Sequence, residues 1–208
     1  MGTGAEPCRI HYEQPGAASR LADALCRVLQ SARLPGQPLV FLCIGTDRST
    51  GDCLGPLVGR SLAAWVASWV HVVGSLDDPV HASNLEEAMT QVEQTWPEAS
   101  VVAVDACLGR LETVGTITVG AGPLCPGAGV NKTLPQVGGA YVTGTVNVGG
   151  FMEYFVLQNT RLSLVVRMAD VVAEGLATAA LRMQVGPATA TVAATQMVVA
   201  SGAGPRST

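Results

Sequence analysis

The sequence predicts one α/β domain, a three-layer α/β/α sandwich with a mainly parallel sheet, and three observations support this. The chain has 208 residues, of which 48% are hydrophobic and 13% charged, so most of it must be packed in a core. Aromatic residues make up only 4%, which leaves aliphatic side chains to fill that core, as in parallel sheets covered by helices. Strand-like apolar runs also alternate with helical patterns along the chain.

The first elements are a helix, a strand and a second helix. Residues 17–32 place apolar side chains at helical spacing, and residues 39–44 form an unbroken apolar run typical of a buried strand. A polar loop follows. Pro56 then fits the first turn of a helix that we expect to end near residue 70.

The middle of the chain continues this alternation. A short strand is expected over 71–74, and Ser83 and Glu86 have the spacing of a capping box. This spacing predicts a helix that runs to about residue 95. A further buried strand over 101–104 ends on Asp105.

The last elements are two strands and a long helical segment. Residues 114–119 and 141–148 are strand-like, and a Gly/Pro-rich stretch separates them. A helical pattern then covers about residues 150–181, with a break near Asn159. The predicted domain comprises residues 17–185, between a weakly ordered N-terminal segment (1–16) and an Ala/Thr/Gly-rich C-terminal tail (186–208).

Composition excludes several classes of function. The longest apolar runs are far shorter than the ~20 residues of a membrane span, and the N-terminus lacks the pattern of a signal peptide. The net charge of −4, without a basic cluster, argues against nucleic-acid binding. The six cysteines have no C-x-x-C spacing, so we expect free thiols in a cytoplasmic protein. Nothing in the sequence indicates an oligomeric state.

Polar side chains follow three of the predicted strands. Parallel α/β sheets bind their ligands at the carboxyl ends of the strands, so these residues are expected to meet at one edge. The candidates are Asp47, Arg48, Ser49, Thr50 and Asp52 after the first strand, Asp77, Asp78, His81 and Asn84 after the second, and Asp105 and Cys107 after the third.

Asp52 and Asp105 are the strongest candidates for chemistry. Two carboxyl groups held close together cannot both ionise cheaply, so one keeps a proton while the other can activate water. With His81, the same pair can instead bind a divalent metal. Structural roles stay open, since such aspartates often cap helices and Arg48 can simply pair with Asp47 or Asp52. A Cys53 nucleophile activated by His81 is a weaker alternative.

The Gly/Pro-rich stretch 120–150 is expected to cover the strand ends as a structured loop. Its segment GAGVNKT, residues 127–133, lacks the glycine that precedes the lysine of a P-loop, and a proline follows where a helix should begin. A phosphate cradle is therefore not predicted. Lys132 can still reach the site from this loop.

Several segments resemble the YyaC family of sporulation proteins, which are also called spore proteases. The most specific is FLCIGTDRSTGDCLGPL, residues 41–57. The others are PVHA (79–82), NL (84–85), VDACLG (104–109), GAGVNK (127–132), NVGGFME (147–153) and LQNTRL (157–162). The resemblance covers about residues 38 to 177.

This family is similar to the germination protease of spore-forming bacteria and to the hydrogenase maturation peptidases. The resemblance implies a phosphorylase/hydrolase-like α/β/α sandwich. In the germination protease, an aspartate in the Asp-x-Leu-Gly-Pro turn and another after the third strand form an acid pair, and Asp52 and Asp105 match these positions. In the maturation peptidases the corresponding positions bind the nickel of the substrate together with a histidine, for which His81 is the candidate here.

Three functions follow as hypotheses. The first is a sporulation-associated peptidase without a cofactor, acting in the cytoplasm of the mother cell or forespore on a protein or peptide substrate. In it Asp52 and Asp105 are catalytic, and the substrate contacts are Asp47, Arg48, His81, Asn84 and Lys132. The second is a metal-recognising processing peptidase with Asp52, Asp105 and His81 as ligands. The third is a sporulation binding module without turnover.

Overall fold

Six strands form one sheet in the computed structural model, which describes residues 6–33, 36–65, 69–127 and 134–185. The strands are β1 (Cys8–His11), β2 (Leu39–Cys43), β3 (Val70–Val73), β4 (Ser100–Gly109), β5 (Thr116–Ala121) and β6 (Ala140–Val148). Their order is β1-β5-β6-β4-β2-β3. The β3–β2, β2–β4 and β4–β6 pairings are parallel, and the β6–β5 and β5–β1 pairings are antiparallel. The prediction of a mainly parallel sheet is confirmed.

Helices cover both faces of this sheet. They are α1 (Ala17–Ala32), α2 (Leu54–Ala63), α3 (Leu85–Thr95), α4 (Glu153–Gln158) and α5 (Leu162–Val185). Helices α1, α2 and α5 share one core with the inner face of the sheet, and α3 packs on the opposite face. The α/β/α sandwich predicted from the sequence is therefore present.

Strand β2 shows why its sequence is apolar throughout. Phe41 and Cys43 face the core formed by α1, α2 and α5, while Leu42 faces the core under α3. Successive side chains of a strand point to opposite faces, and here both faces are covered. All five residues of Leu39–Cys43 are consequently buried.

The structure differs from the prediction at the N-terminus. Residues Cys8–His11 form the edge strand β1, in which Ile10 is buried against the main core. The expectation of a weakly ordered segment over 1–16 is wrong for these residues. One buried side chain in a four-residue strand is too weak a pattern to recognise without its partner β5.

Other element boundaries also change. Strand β4 does not end on Asp105 but runs on to Gly109, because β6 continues to pair with it past an irregularity at Cys107 and Leu108. The predicted capping box does not form, since α3 begins after Asn84 and has no side-chain cap. Helix α2 ends at Ala63, short of residue 70. The break expected near Asn159 separates α4 from α5.

Two predicted features, the tail 186–208 and Lys132, lie outside the described residues. Among the helices that the structure describes, none is both long enough and apolar enough to cross a membrane. All six cysteines are free, as expected from their spacing.

Candidate active site

Asp52 lies in a short 3-10 turn, Gly51–Cys53, which leads directly into α2. The turn packs against the end of β2: the N–H of Thr46 donates a hydrogen bond to the carbonyl oxygen of Asp52 at 3.0 Å. Two glycines permit this contact. A Cβ atom on Gly45 would lie 2.0 Å from the Asp52 carbonyl oxygen, and one on Gly55 would lie 2.0 Å from the Ile44 carbonyl oxygen.

Asp105 reaches the same region from β4. The pairing between β2 and β4 ends at Cys43 and Val104, so Asp105 lies just beyond the end of its neighbouring strand. Its side chain points to the opposite face of the sheet from Val104 and to the same face as Ala103, which belongs to the core under α3. The residue is only 6% exposed. An ionisable carboxyl group is therefore buried where β2 leaves the sheet.

Asp52 and Asp105 line one cavity of about 290 Å³. Arg48, Ser49 and His81 line it too, so the cavity collects residues that follow β2 and β3 together with Asp105 from within β4. This confirms the expectation that the strand ends meet at one edge. The volume is enough for a short segment of peptide and some water.

The two carboxyl groups have different electrostatic environments. Burial raises the pKa of Asp105 well above its usual range, and the negative charge of Asp52 raises it further. The N–H groups of Ala106 and Gly127 donate hydrogen bonds that oppose this rise. Burial also raises the pKa of Asp52, which the nearby His81 lowers. Asp52 therefore ionises first, and its charge helps to keep the proton on Asp105.

The loop before α3 fixes His81 at the cavity wall. The N–H of His81 donates to Oδ1 of Asn84 at 2.7 Å, and Nδ2 of Asn84 donates to the carbonyl oxygen of Pro79 at 3.0 Å. The N–H of Ser83 donates to Nδ1 of His81 at 3.3 Å. Because Nδ1 accepts this bond, a neutral His81 carries its proton on Nε2.

Asn84 and Asp47 do not line the cavity. The amide oxygen and the amide nitrogen of Asn84 both form hydrogen bonds within the loop before α3. In the structure, Asn84 therefore holds this loop together. Asp47 is exposed. Arg48 does line the cavity, and it forms no ion pair with any residue in the described ranges.

The alternatives that rest on metal or thiol chemistry find little support in the geometry. Within the described ranges, no group of three or more His, Cys, Asp or Glu side chains is arranged to hold a metal ion. Asp52, Asp105 and His81 thus do not form a three-ligand site. Cys53 is 8% exposed, and burial, followed by the charges of Asp47 and Asp52, raises the pKa of its thiol. A reactive thiolate needs the opposite shift.

Tyr154 and Leu157 are among the lining residues of the cavity that the sequence did not single out. Tyr154 and Leu157 come from α4, about fifty residues beyond Asp105 in sequence. Ser49, which the sequence places among the residues after the first strand, is buried and lines the same cavity as Asp52. Gly51 allows α4 to pack closely against the turn that carries Asp52. A Cβ atom on Gly51 would lie 2.8 Å from the side chain of Leu157.

Comparisons with known proteins identify relatives of the whole domain. The chain is 52% identical over 167 residues to the uncharacterized protein YyaC of Bacillus subtilis (strain 168), a match that covers 80% of each chain. It is also similar to the crystal structure of a NiFe hydrogenase maturation protease, HycI, from Thermococcus kodakarensis KOD1. That similarity has a TM-score of 0.45 and 17% sequence identity, and it covers 74% of this chain and 96% of the other.

A family model matches residues 9–175, which include strands β2 to β6, all of β1 except its first residue, and both aspartates. The chain therefore belongs to the family described as "Protein of unknown function (DUF1256)".

Proposed function

We propose that this protein is a peptidase of spore-forming bacteria, in which Asp52 and Asp105 share one proton and activate water to cleave a specific protein substrate. One observation carries the proposal: the two carboxyl groups line one cavity, and the charge of Asp52 raises the pKa of the buried Asp105. A pair that holds one proton offers a general base and a general acid at the same place.

Each carboxyl group has a distinct part in this reaction. The Asp52 carboxylate takes a proton from water as the water oxygen attacks the peptide carbonyl carbon. Asp105 donates its proton to the carbonyl oxygen, which becomes a hydroxyl group in the tetrahedral intermediate. The intermediate collapses when the carbon–nitrogen bond breaks and the amine takes the proton held by Asp52. The hydroxyl proton returns to Asp105, and the pair regains its starting state.

The other polar residues would position the substrate. Arg48 lines the cavity and forms no ion pair with a described residue, so its guanidinium group is available to backbone carbonyl oxygens or to a carboxylate. The Nε2 side of His81 is free of the loop hydrogen bond at Nδ1 and is available to the cavity. We also propose that Lys132, which lies between β5 and β6 in the sequence, contacts the substrate.

An exposed apolar surface beside the cavity supports a protein substrate. Phe151 is 79% exposed, Tyr154 59% and Phe155 55%, and Tyr154 also lines the cavity. We call Phe151, Met152, Tyr154 and Phe155 the α4 rim. Apolar side chains that are exposed together commonly mark a site of protein–protein contact. A small polar substrate would not need such a surface.

The assignment to sporulation rests on the resemblance of the sequence to a family of sporulation proteins. We expect the substrate to be a protein present when spores form or germinate. No resident metal is required, because the carboxyl pair supplies both the base and the acid. The metal-recognising alternative would need cleavage that a chelator abolishes.

The test is to incubate the purified protein with a lysate of sporulating cells and to identify new protein termini by mass spectrometry. The Asp52→Asn and Asp105→Asn variants are run in parallel. Fragments that form with the wild type and vanish with both variants are the expected result. If the folded wild type yields no fragments, with or without divalent metals, the peptidase is refuted and a binding module without turnover is favoured.

A further inference from the structure

Ser49 has a buried hydroxyl group without a hydrogen-bond partner among the residues that the structure describes. The residue is 8% exposed, and no described residue forms a hydrogen bond with its Oγ atom. It lines the same cavity as Asp52 and Asp105, three positions before Asp52 in the chain. Buried hydroxyl groups are nearly always hydrogen-bonded, to protein or to ordered water.

Two other buried polar atoms also lack partners among the described residues, and they differ from Ser49. They are Nε of Arg33 and Nε1 of Trp69. The guanidinium group of Arg33 lies over the Trp69 ring, and neither residue lines the cavity with the aspartates. Arg33 also donates a hydrogen bond to the carbonyl oxygen of Gln37. Of the three residues, only Ser49 lines the cavity that Asp52 and Asp105 also line.

The cavity can supply the missing partner. Its volume of about 290 Å³ exceeds the ~30 Å³ that one molecule occupies in liquid water. A buried water typically makes about three hydrogen bonds, and Ser49, Asp52 and Asp105 all line this cavity.

We propose that Ser49 is a positioning residue that holds the water molecule activated by Asp52. This inference rests on the proposed peptidase function. The water donates one hydrogen bond to the Asp52 carboxylate and the other to Oγ of Ser49, which leaves a lone pair of its oxygen for the peptide carbonyl carbon. As the carbon–oxygen bond forms, the proton shared with Asp52 transfers to that carboxylate. Ser49 exchanges no proton and forms no covalent bond.

A crystal structure that shows ordered water tests the proposal without a substrate. We expect a water within about 3 Å of both Oγ of Ser49 and the carboxyl group of Asp52. The Ser49→Ala variant should lose this water and keep its fold. A water that stays in place in Ser49→Ala would overturn the proposal. So would a direct hydrogen bond from Ser49 to a side chain of residues 128–133.

Kinetic measurements test the role in the reaction. The probe is a synthetic peptide that spans a cleavage site identified with the wild-type protein in the lysate. Ser49→Ala should lower kcat about tenfold or more with little change in KM, because misplacement of the attacking group slows the reaction and not binding. The melting temperature should stay equal or rise, since the variant removes an unpartnered buried hydroxyl. Ser49→Thr, which restores the hydroxyl, should regain most of the rate.

Ser100→Ala is the matched control. The Ser100 hydroxyl has a partner, Oε1 of Gln37 at 3.3 Å, and does not line the cavity. We expect this control to keep the wild-type kcat. If Ser49→Ala keeps full activity while Asp52→Asn is inactive, only the role of Ser49 is refuted. If no fragments depend on Asp52, the peptidase itself is refuted.

Discussion

The carbonyl oxygen of Asp52 occupies the position where a side chain of Gly45 would begin: a Cβ atom there would lie 2.0 Å from it. Gly45 also has φ of +141°, a conformation that residues with side chains rarely adopt. The end of β2 and the turn that carries Asp52 are therefore in backbone contact. This contact places a carboxyl group from the loop beside one from the neighbouring strand β4.

The first prediction concerns this contact. Gly45→Ala should lower the free energy of unfolding by roughly 2–5 kcal/mol, because it adds a backbone clash to a strained φ. Gly122 has φ of +98° with no atom within 4 Å of an added Cβ, so Gly122→Ala should cost only about 1–2 kcal/mol. Gly139→Ala meets no atom and has no positive φ, and it should change stability by less than about 0.5 kcal/mol. Urea denaturation measures the free energy of unfolding of all three variants. Equal losses would contradict the backbone contact between Gly45 and Asp52.

The second prediction concerns the dependence of stability on pH. The pKa of Asp105 is raised in the folded protein above its ordinary value of 3.8, so the folded state binds this proton more tightly than the unfolded state. The stabilisation is fully present below pH 3.8 and is lost as pH rises through the folded pKa. Asp105→Asn stays neutral and should be at least as stable as the wild type at neutral pH.

Urea denaturation at a series of pH values measures this difference. The advantage of Asp105→Asn over the wild type should shrink as pH falls and disappear below pH 3.8, where both states of the wild type carry the proton. A deficit that is the same at every pH would mean that Asp105 serves only as a structural hydrogen-bonding group.

The third prediction concerns His81. It lowers the pKa of Asp52, so His81→Ala should raise that pKa. Cleavage needs ionised Asp52, so the acid limb of the pH–rate profile should lie at a higher pH in His81→Ala than in the wild type. His71→Ala is the control, since His71 stacks on Trp96 at 4.2 Å and does not line the cavity. The measurement is the initial rate of peptide cleavage as a function of pH. If the acid limb of His81→Ala lies at the same pH as that of the wild type, His81 does not lower the pKa of Asp52.

The fourth prediction concerns the α4 rim. Replacing Phe151 and Phe155 by serine should slow cleavage of the intact protein substrate about tenfold or more, because exposed aromatic side chains at contact surfaces often carry more than 1 kcal/mol of binding energy each. Stability should change little, since both side chains are more than half exposed. Trp65→Ser is the control: Trp65 is 55% exposed, as Phe155 is, but follows the far end of α2. If Trp65→Ser slows cleavage as much as the α4 rim variant does, the rim has no specific role in substrate binding.

The sequence predicts the parts of the site that are local. A polar loop after an unbroken apolar strand indicates the edge where Arg48 and Asp52 lie, and the general rule for parallel sheets brings His81 to the same edge. The cavity that these residues line bears this out. The alternation of apolar runs and helical patterns likewise predicts the layers, because each layer buries one face of its neighbour.

Features that depend on distant pairing were not predictable from local pattern. Asp105 lies inside β4, since β6 continues to pair with β4 beyond the end of β2. The edge strand β1 depends on β5, more than a hundred residues away in sequence. The hydroxyl of Ser49 became notable only when burial left it without a described partner. Asn84, predicted to contact substrate, has both ends of its amide group hydrogen-bonded within the loop that carries His81.

The most direct test of the central claim is to follow the two carboxyl groups by carbon NMR as pH is raised, in the wild type and in Asp52→Asn. Our account predicts that Asp52 loses its proton first and Asp105 later, both above pH 3.8. In Asp52→Asn the pKa of Asp105 should fall, because one of the two causes of its rise is removed. If Asp105 titrates near 3.8, or is indifferent to the loss of Asp52, the two residues do not share a proton and the proposed acid–base pair is wrong.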